Sequence, residues 1–187
     1  MLGFIGLISV IPTAARGATV TFDTFAPQQA CLDNLSDGGL DFAESGSICM
    51  GVWTDNPNSN GTPGLILGFS GMASITQTGG GAFDLNAFDM AISWYETAPV
   101  SSVDVTAYFE GGGSSMQTLL LIPSLQTYLL NLANVVQVDV SALSTGGGYW
   151  VMDNIDFNGA AVPEPATLTL VAGGMIAAAV RRRRRRS

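Results

Sequence analysis

The chain has no histidine and no lysine, and its seven basic residues are all arginines: Arg16 and the block Arg181, Arg182, Arg183, Arg184, Arg185 and Arg186. Between Gly17 and Val180 there is not one cation against fifteen carboxylates. A body without Lys or Arg cannot neutralise phosphates and release counterions, which excludes nucleic-acid binding. No lysine is present to reach a nucleotide phosphate in a P-loop. Without histidine there is no Ser-His-Asp or Cys-His nucleophile, no His-ligated zinc and no proton shuttle near neutral pH. What remains open is carboxylate chemistry, oxygen-ligand metals and binding by shape.

At 187 residues and 47% apolar composition, the chain has room for one domain with a real core plus short end segments. Leu2 to Ile11 form an apolar run followed by the small residues of PTAARGA. This reads as a signal peptide over 1–17, with signal peptidase cutting before Ala18, although the n-region is nearly missing and the true start then lies upstream. A buried N-terminal strand or helix is the alternative.

At the other end, Pro163, Glu164 and Pro165 precede the uncharged run Ala166 to Val180, and six arginines follow. Fifteen helical residues span only about 22 Å, short of the roughly 30 Å hydrocarbon core, so 166–180 is a marginal transmembrane helix aided by snorkelling Arg stems. The arginine block orients the body outside and the tail in the cytoplasm. The two prolines hold the preceding strip extended and accessible.

The whole end, 162–187, closely resembles the PEP-CTERM sorting signal: a Pro-Glu-Pro motif, a short apolar helix and a terminal arginine cluster. The resemblance implies recognition by exosortase, a membrane-embedded cysteine protease or transpeptidase of Gram-negative bacteria, and removal of the tail near Pro163-Glu164-Pro165. It also implies anchoring in the inner membrane before processing, then delivery to the cell envelope or an extracellular matrix rich in exopolysaccharide, as in biofilms. An ordinary, uncleaved tail anchor is the alternative.

From Thr19 to Phe157, short β-favouring runs are separated by Gly, Asn, Asp and Ser clusters, with no helical period longer than two turns. The pattern predicts an all-β domain over 18–160, an antiparallel jelly-roll β-sandwich. Strands are expected at 19–25, 47–53, 65–70, 73–78, 83–95, 100–109, 116–122, 127–131, 135–141 and 149–157. Val103, Val105, Ala107 and Phe109 alternate against Asp104, Thr106 and Tyr108, and Val136, Val138 and Val140 against Gln137, Asp139 and Ser141. In 83–94 the apolar parity switches between Leu85 and Phe88, which predicts a bulge near Ala87.

Cys31 and Cys49 are the only cysteines. In an oxidising periplasm they would pair and close a Gly/Asp/Ser-rich loop, worth about 3 kcal/mol in chain entropy; two buried free thiols are the alternative. The carboxylates of that loop, Asp33, Asp37, Asp41 and Glu44, lack EF-hand spacing and read as a solvated face.

A buried carboxylate in a body without cations must find backbone or hydroxyl donors, take up a proton or bind a metal. Asp153 shares parity with Tyr149, Val151, Ile155 and Phe157, which places it on the expected core face. This closing segment, with the opening Thr21-Phe22-Asp23, resembles the end strands of jelly-roll carbohydrate-binding-like domains. The resemblance implies a structural Ca2+ held by Asp153 and, more weakly, Asp23, and oxygen ligands suit that cation. Hydrogen-bonded or solvated carboxylates are the alternative.

Sugar binders stack pyranose rings on exposed aromatics, and Trp53, Trp94, Tyr95, Tyr108 and Trp150 are the stock available. Tyr108 and Tyr95, opposite in parity to their apolar neighbours, are the candidate ligand contacts. The expectation is therefore an exported, exosortase-processed, non-enzymatic surface or matrix protein. A calcium-dependent polysaccharide-binding module is the second reading, and a glycosidase using two carboxylates such as Glu96 and Glu110 the third.

Overall fold

The structure is a computed structural model, and it describes residues 17–26, 29–46, 50–54, 58, 60–68, 71–93, 101–142 and 148–159. These all fall within one unit, Ala15–Ala160. Residues 1–16 of the expected signal peptide, the Pro163-Glu164-Pro165 motif, the helix at 166–180 and the arginine tail lie outside the described residues, as do Cys49, Trp94, Tyr95 and Glu96, whereas Gly17, the last residue of that expected peptide, is the first residue described.

Every regular element among the described residues is a strand, and every pairing is antiparallel. In chain order they are β1 (Gly17–Val20), β2 (Gln29–Ala30), β3 (Asn34–Asp37), β4 (Leu40–Ser45), β5 (Met50–Trp53) and β6 (Gly64–Gly68), followed by β7 (Met72–Gln77), β8 (Phe83–Ile92), β9 (Ser102–Phe109), β10 (Ser114–Leu120), β11 (Gln126–Ala142) and β12 (Tyr149–Gly159). The expected all-β sandwich is what forms.

One strand joins its two layers. The first part of β11 pairs with β8, which continues through β12, β6 and β5 to β2, with β1 alongside the end of β12. Its second part lies between β9 and β7, in a layer ordered β10, β9, β11, β7, β4, β3. The change of partner happens at Val135, which faces both Phe83 and Phe109. Asn131 and Asn134 adopt φ of 51° and 54° just before it, a left-handed conformation that asparagine tolerates better than other non-glycine residues. Two register shifts follow, and the two strands expected at 127–131 and 135–141 become one strand bent between layers.

The core is filled from both layers by Phe22, Phe42, Phe83, Phe88, Met90, Trp150, Met152 and Phe157, with Val103, Val105 and Ala107 of β9 as the alternation predicts. Phe22 and Phe42 meet at a centroid separation of 5.3 Å, and Phe83 and Phe157 meet edge-on at 6.4 Å. The parity switch in β8 is present: Phe83 and Leu85 are buried, then Ala87 and Phe88 are buried in succession, with a register shift against β12 at that point. In β11 the irregularity between Val135 and Gln137 turns Val135 inward, so Val136 is exposed and only Val138 and Val140 keep the expected alternation.

Two further expectations fail. The segment expected to be a solvated loop is instead the hairpin β3–β4, which buries Leu35, Leu40 and Phe42 while its carboxylates stay at or near the surface. And the residues of β12 that share parity do not share a face. Ile155 and Phe157 join the main core with Trp150 and Met152, whereas Val151 turns outward and packs with Ile66 and Ala91, flanked by Trp53, Leu125 and Tyr149. The phase changes at the register shifts beyond Asp153, where Asn154 has φ 48°. Tyr149 lies across Gly68, where any Cβ would stand 2.3 Å from its ring.

Candidate functional site

Asp153 precedes that bulge, so it lies on the outer side of the first layer with Val151 and beside Gly64, rather than in the main core. It is nevertheless only 1% exposed. The turn before β6 covers it: Asn60 Nδ2 donates to its Oδ2 at 3.0 Å, Thr62 Oγ1 donates to the same oxygen at 3.2 Å, and Asn154 N donates to Oδ1 at 2.8 Å. Asn60 Oδ1 in turn accepts from Thr62 N at 3.0 Å. Burial, with a smaller contribution from the charge of Asp23, pushes the Asp153 carboxyl up to about 6 against the pull of these three hydrogen bonds.

Asn60 and Thr62 were not anticipated as partners of Asp153. The signal available was Asn60-Gly61, a turn dipeptide, and Gly61 indeed takes φ 90°. Across the ladder Asp153 faces Asp89, whose oxygens accept from Asn154 Nδ2 at 2.8 Å and Thr127 Oγ1 at 2.6 Å. Among the described residues no three of Asp, Glu, His or Cys gather as a metal-ligating group. The oxygens of Asp153, Asp23, Asn60 and Thr62 fit a hard cation in donor type.

A second site lies on the outer face of the other layer. A groove of about 500 Å³ runs across β3, β4, β7 and β11, lined among others by Asn34, Ser36, Asp41, Ser74, Thr76 and Gln137. Alternation puts these side chains there: Ser36 faces Asp41, Asp41 faces Thr76, and Ser74 faces Asp139. The lining offers amides, hydroxyls and a carboxylate held by Thr78 Oγ1 at 2.7 Å, with no cation.

Tyr108 stands on the same face, beside Gln137 in the ladder, and is 39% exposed. Gln137 Nε2 donates to Asp139 Oδ1 at 2.7 Å, and the Tyr108 hydroxyl also donates to Asp139. The charge of Asp139 holds the Tyr108 phenol above its ordinary range, with desolvation and the hydrogen bond adding to it. Asp139 is 7% exposed and anchors both neighbours, a network legible only once β9 and β11 are seen to pair.

The other sequence candidates are placed as follows. Trp150 is fully buried, Trp53 is half-buried on the opposite layer, and Glu110 is exposed in the turn after β9. Cys31 is not a free thiol.

Residues 161–185 match the PEP-CTERM protein-sorting motif. No curated protein matches the chain. Among solved structures, a family 29 carbohydrate binding module from Piromyces equi aligns at 10% identity and a TM-score of 0.51, over 84% of this chain and 99% of that one. A mutant of a family 29 module aligns at 16% identity and 0.49, over 76% and 92%. An exo-beta-agarase aligns at 11% identity and 0.47, over 80% of this chain but 25% of its own. The chain carries a PEP-CTERM sorting motif behind a β-sandwich that shares its fold with family 29 carbohydrate-binding modules.

Proposed function

We propose that this is an exported, exosortase-processed surface or matrix protein whose body is a non-catalytic polysaccharide-binding module. The observation that carries the reading is the polar groove of β3, β4, β7 and β11 with Tyr108 beside it. A sugar chain needs donors and acceptors for its hydroxyls and a flat ring for its apolar face, and the groove with Tyr108 supplies both. The module from Piromyces equi that shares this fold is named for carbohydrate binding.

Charge narrows the ligand. Residues 18–162 hold fourteen carboxylates and no cation. An acidic exopolysaccharide would be repelled, so the ligand is a neutral glycan. The role of Tyr95, outside the described residues, is proposed as a second ring contact. Calcium is proposed as a structural ion at Asp153 and Asp23, where it would supply the countercharge that the body lacks. In the compartment implied by export, Cys31 pairs with Cys49.

The test is affinity electrophoresis of the full-length chain in detergent through gels containing agarose or a soluble neutral β-glucan. Retardation by at least one polymer is expected, and Tyr108→Ala with Gln137→Ala should weaken it by about tenfold, or roughly 1.4 kcal/mol.

A further inference from the structure

The fourteen carboxylates of the body are unevenly spread: residues 111–138 contain no Asp, Glu, Lys or Arg. Within that stretch lie Met116, Leu120, Ile122, Leu129 and Val136, which with Tyr108 are the large apolar side chains exposed among the described residues. At its start is β10, which among the described strands pairs with β9 alone. Soluble proteins blunt an open edge with lysine, proline, inward charges or a bulge. The run Ser-Ser-Met-Gln-Thr-Leu-Leu from 114 to 120 has no such device, and Met116 and Leu120 are 66% and 72% exposed.

The ladder fixes which groups are open. Phe109 N donates to Gly113 O at 3.2 Å and Leu121 N to Ser101 O at 2.9 Å, and both contacts continue the β9–β10 register. By alternation the odd-numbered residues of β10 bond to β9, leaving the N–H and C=O groups of Ser114, Met116 and Thr118 and the N–H of Leu120 at the open edge. The Leu120 carbonyl already accepts from the Tyr128 hydroxyl. At the centre of the strand is Gln117, opposite Val105, whose Nε2 is buried without a hydrogen-bond partner.

We propose that β10 pairs antiparallel with β10 of a second copy of this chain, about a two-fold axis through Gln117. In that register Met116 faces the partner's Thr118 and Ser114 faces the partner's Leu120, so the open edge groups meet one another. Gln117 faces the partner's Gln117 across the axis. A two-fold contact uses the same patch on both copies, and this strand is complementary to itself. A second copy is the occupant because a wholly anionic body repels its like on every charged face, whereas β10 itself carries no charge and the nearest carboxylate, Asp104 of β9, is held by Thr118 Oγ1 at 2.6 Å; a basic partner would be drawn to the carboxylate-bearing faces instead. The pairing does not depend on any glycan.

Sedimentation equilibrium of the full-length chain in detergent, over concentrations on the order of 1 to 100 µM, should show a reversible dimer. Met116→Pro removes one open-edge N–H and spares the bonds to β9, so it should weaken dimerisation by at least about tenfold with an unchanged circular-dichroism spectrum. The register has its own readout that does not depend on the proline variant folding. Gln117→Cys should give a disulfide-linked dimer under mild oxidation, whereas Ser114→Cys, whose sulfurs would stand about 20 Å apart, should not. A monomer throughout the range, an undiminished dimer of a folded Met116→Pro chain, or equal cross-linking of both cysteine variants would overturn the proposal.

Discussion

Asp153 is a nearly fully buried carboxylate, 1% exposed, in a body with no cation to pair with it. Its folded-state value of about 6 lies above the ordinary carboxylate range, so between about pH 4 and pH 6 the folded chain holds a proton that the unfolded chain has lost. Stability from this group is therefore complete below pH 4 and declines as pH rises through 6, by roughly 2–3 kcal/mol. Thermal melts in chelator should show that decline, Asp153→Asn should flatten it, and calcium should restore stability to the wild type above pH 6. Sequence alternation identified Asp153 as buried but assigned it to the wrong side of the sheet. The reason is the bulge at Asn154, since a one-residue phase change moves every side chain beyond it to the opposite face. Tyr108 was legible as exposed because β9 keeps strict alternation from Val103 to Ala107.

At the scale of elements, the hairpin β3–β4 was invisible to a reading that weighed its Gly, Asp and Ser content. Two features outweigh that composition. Gly38 and Gly39 take φ of 57° and 100°, the tight turn a hairpin needs, and Leu35, Leu40 and Phe42 drive its inner face against Val20, Phe22 and Ile75. Asp37 also serves the fold, accepting from Phe22 N at 3.0 Å and Thr24 Oγ1 at 3.2 Å. Because the hairpin also forms one wall of the groove, its loss should reach the site. Phe42→Ala is expected to cost about 3–5 kcal/mol in chemical denaturation, against well under 1 kcal/mol for Asp33→Asn on the exposed rim. Strands β7 and β9 were legible because their apolar alternation survives, and β5, β6, β8 and β12 because each is a β-favouring apolar run bounded by turn residues, whereas the fusion of β11 was not. Asn131 and Asn134 read as a break, and left-handed asparagines instead let one strand serve two layers.

For the whole molecule, charge separates the chain into parts with different tasks. The formal net charge of -8 hides a cation-free body and an arginine block at residues 181–186. The sorting motif was legible because order, spacing and position of its parts suffice without tertiary structure, and residues 161–185 match it. If the arginines belong to a removable address, expression in cells with an exosortase should shorten the C-terminal mass near Pro163 to Pro165, and cells without the enzyme should retain the tail. The groove was not legible, because its lining is gathered from four strands that only the pairing order makes neighbours. The proposed role of the body turns on that groove binding a neutral glycan. Affinity electrophoresis of the wild-type chain and of the Tyr108→Ala, Gln137→Ala double variant in neutral polysaccharide gels measures this directly. Retardation of the wild type, reduced about tenfold in the variant, is the predicted result; wild-type mobility unaffected by any neutral polymer, or equal retardation of a folded variant, would contradict it.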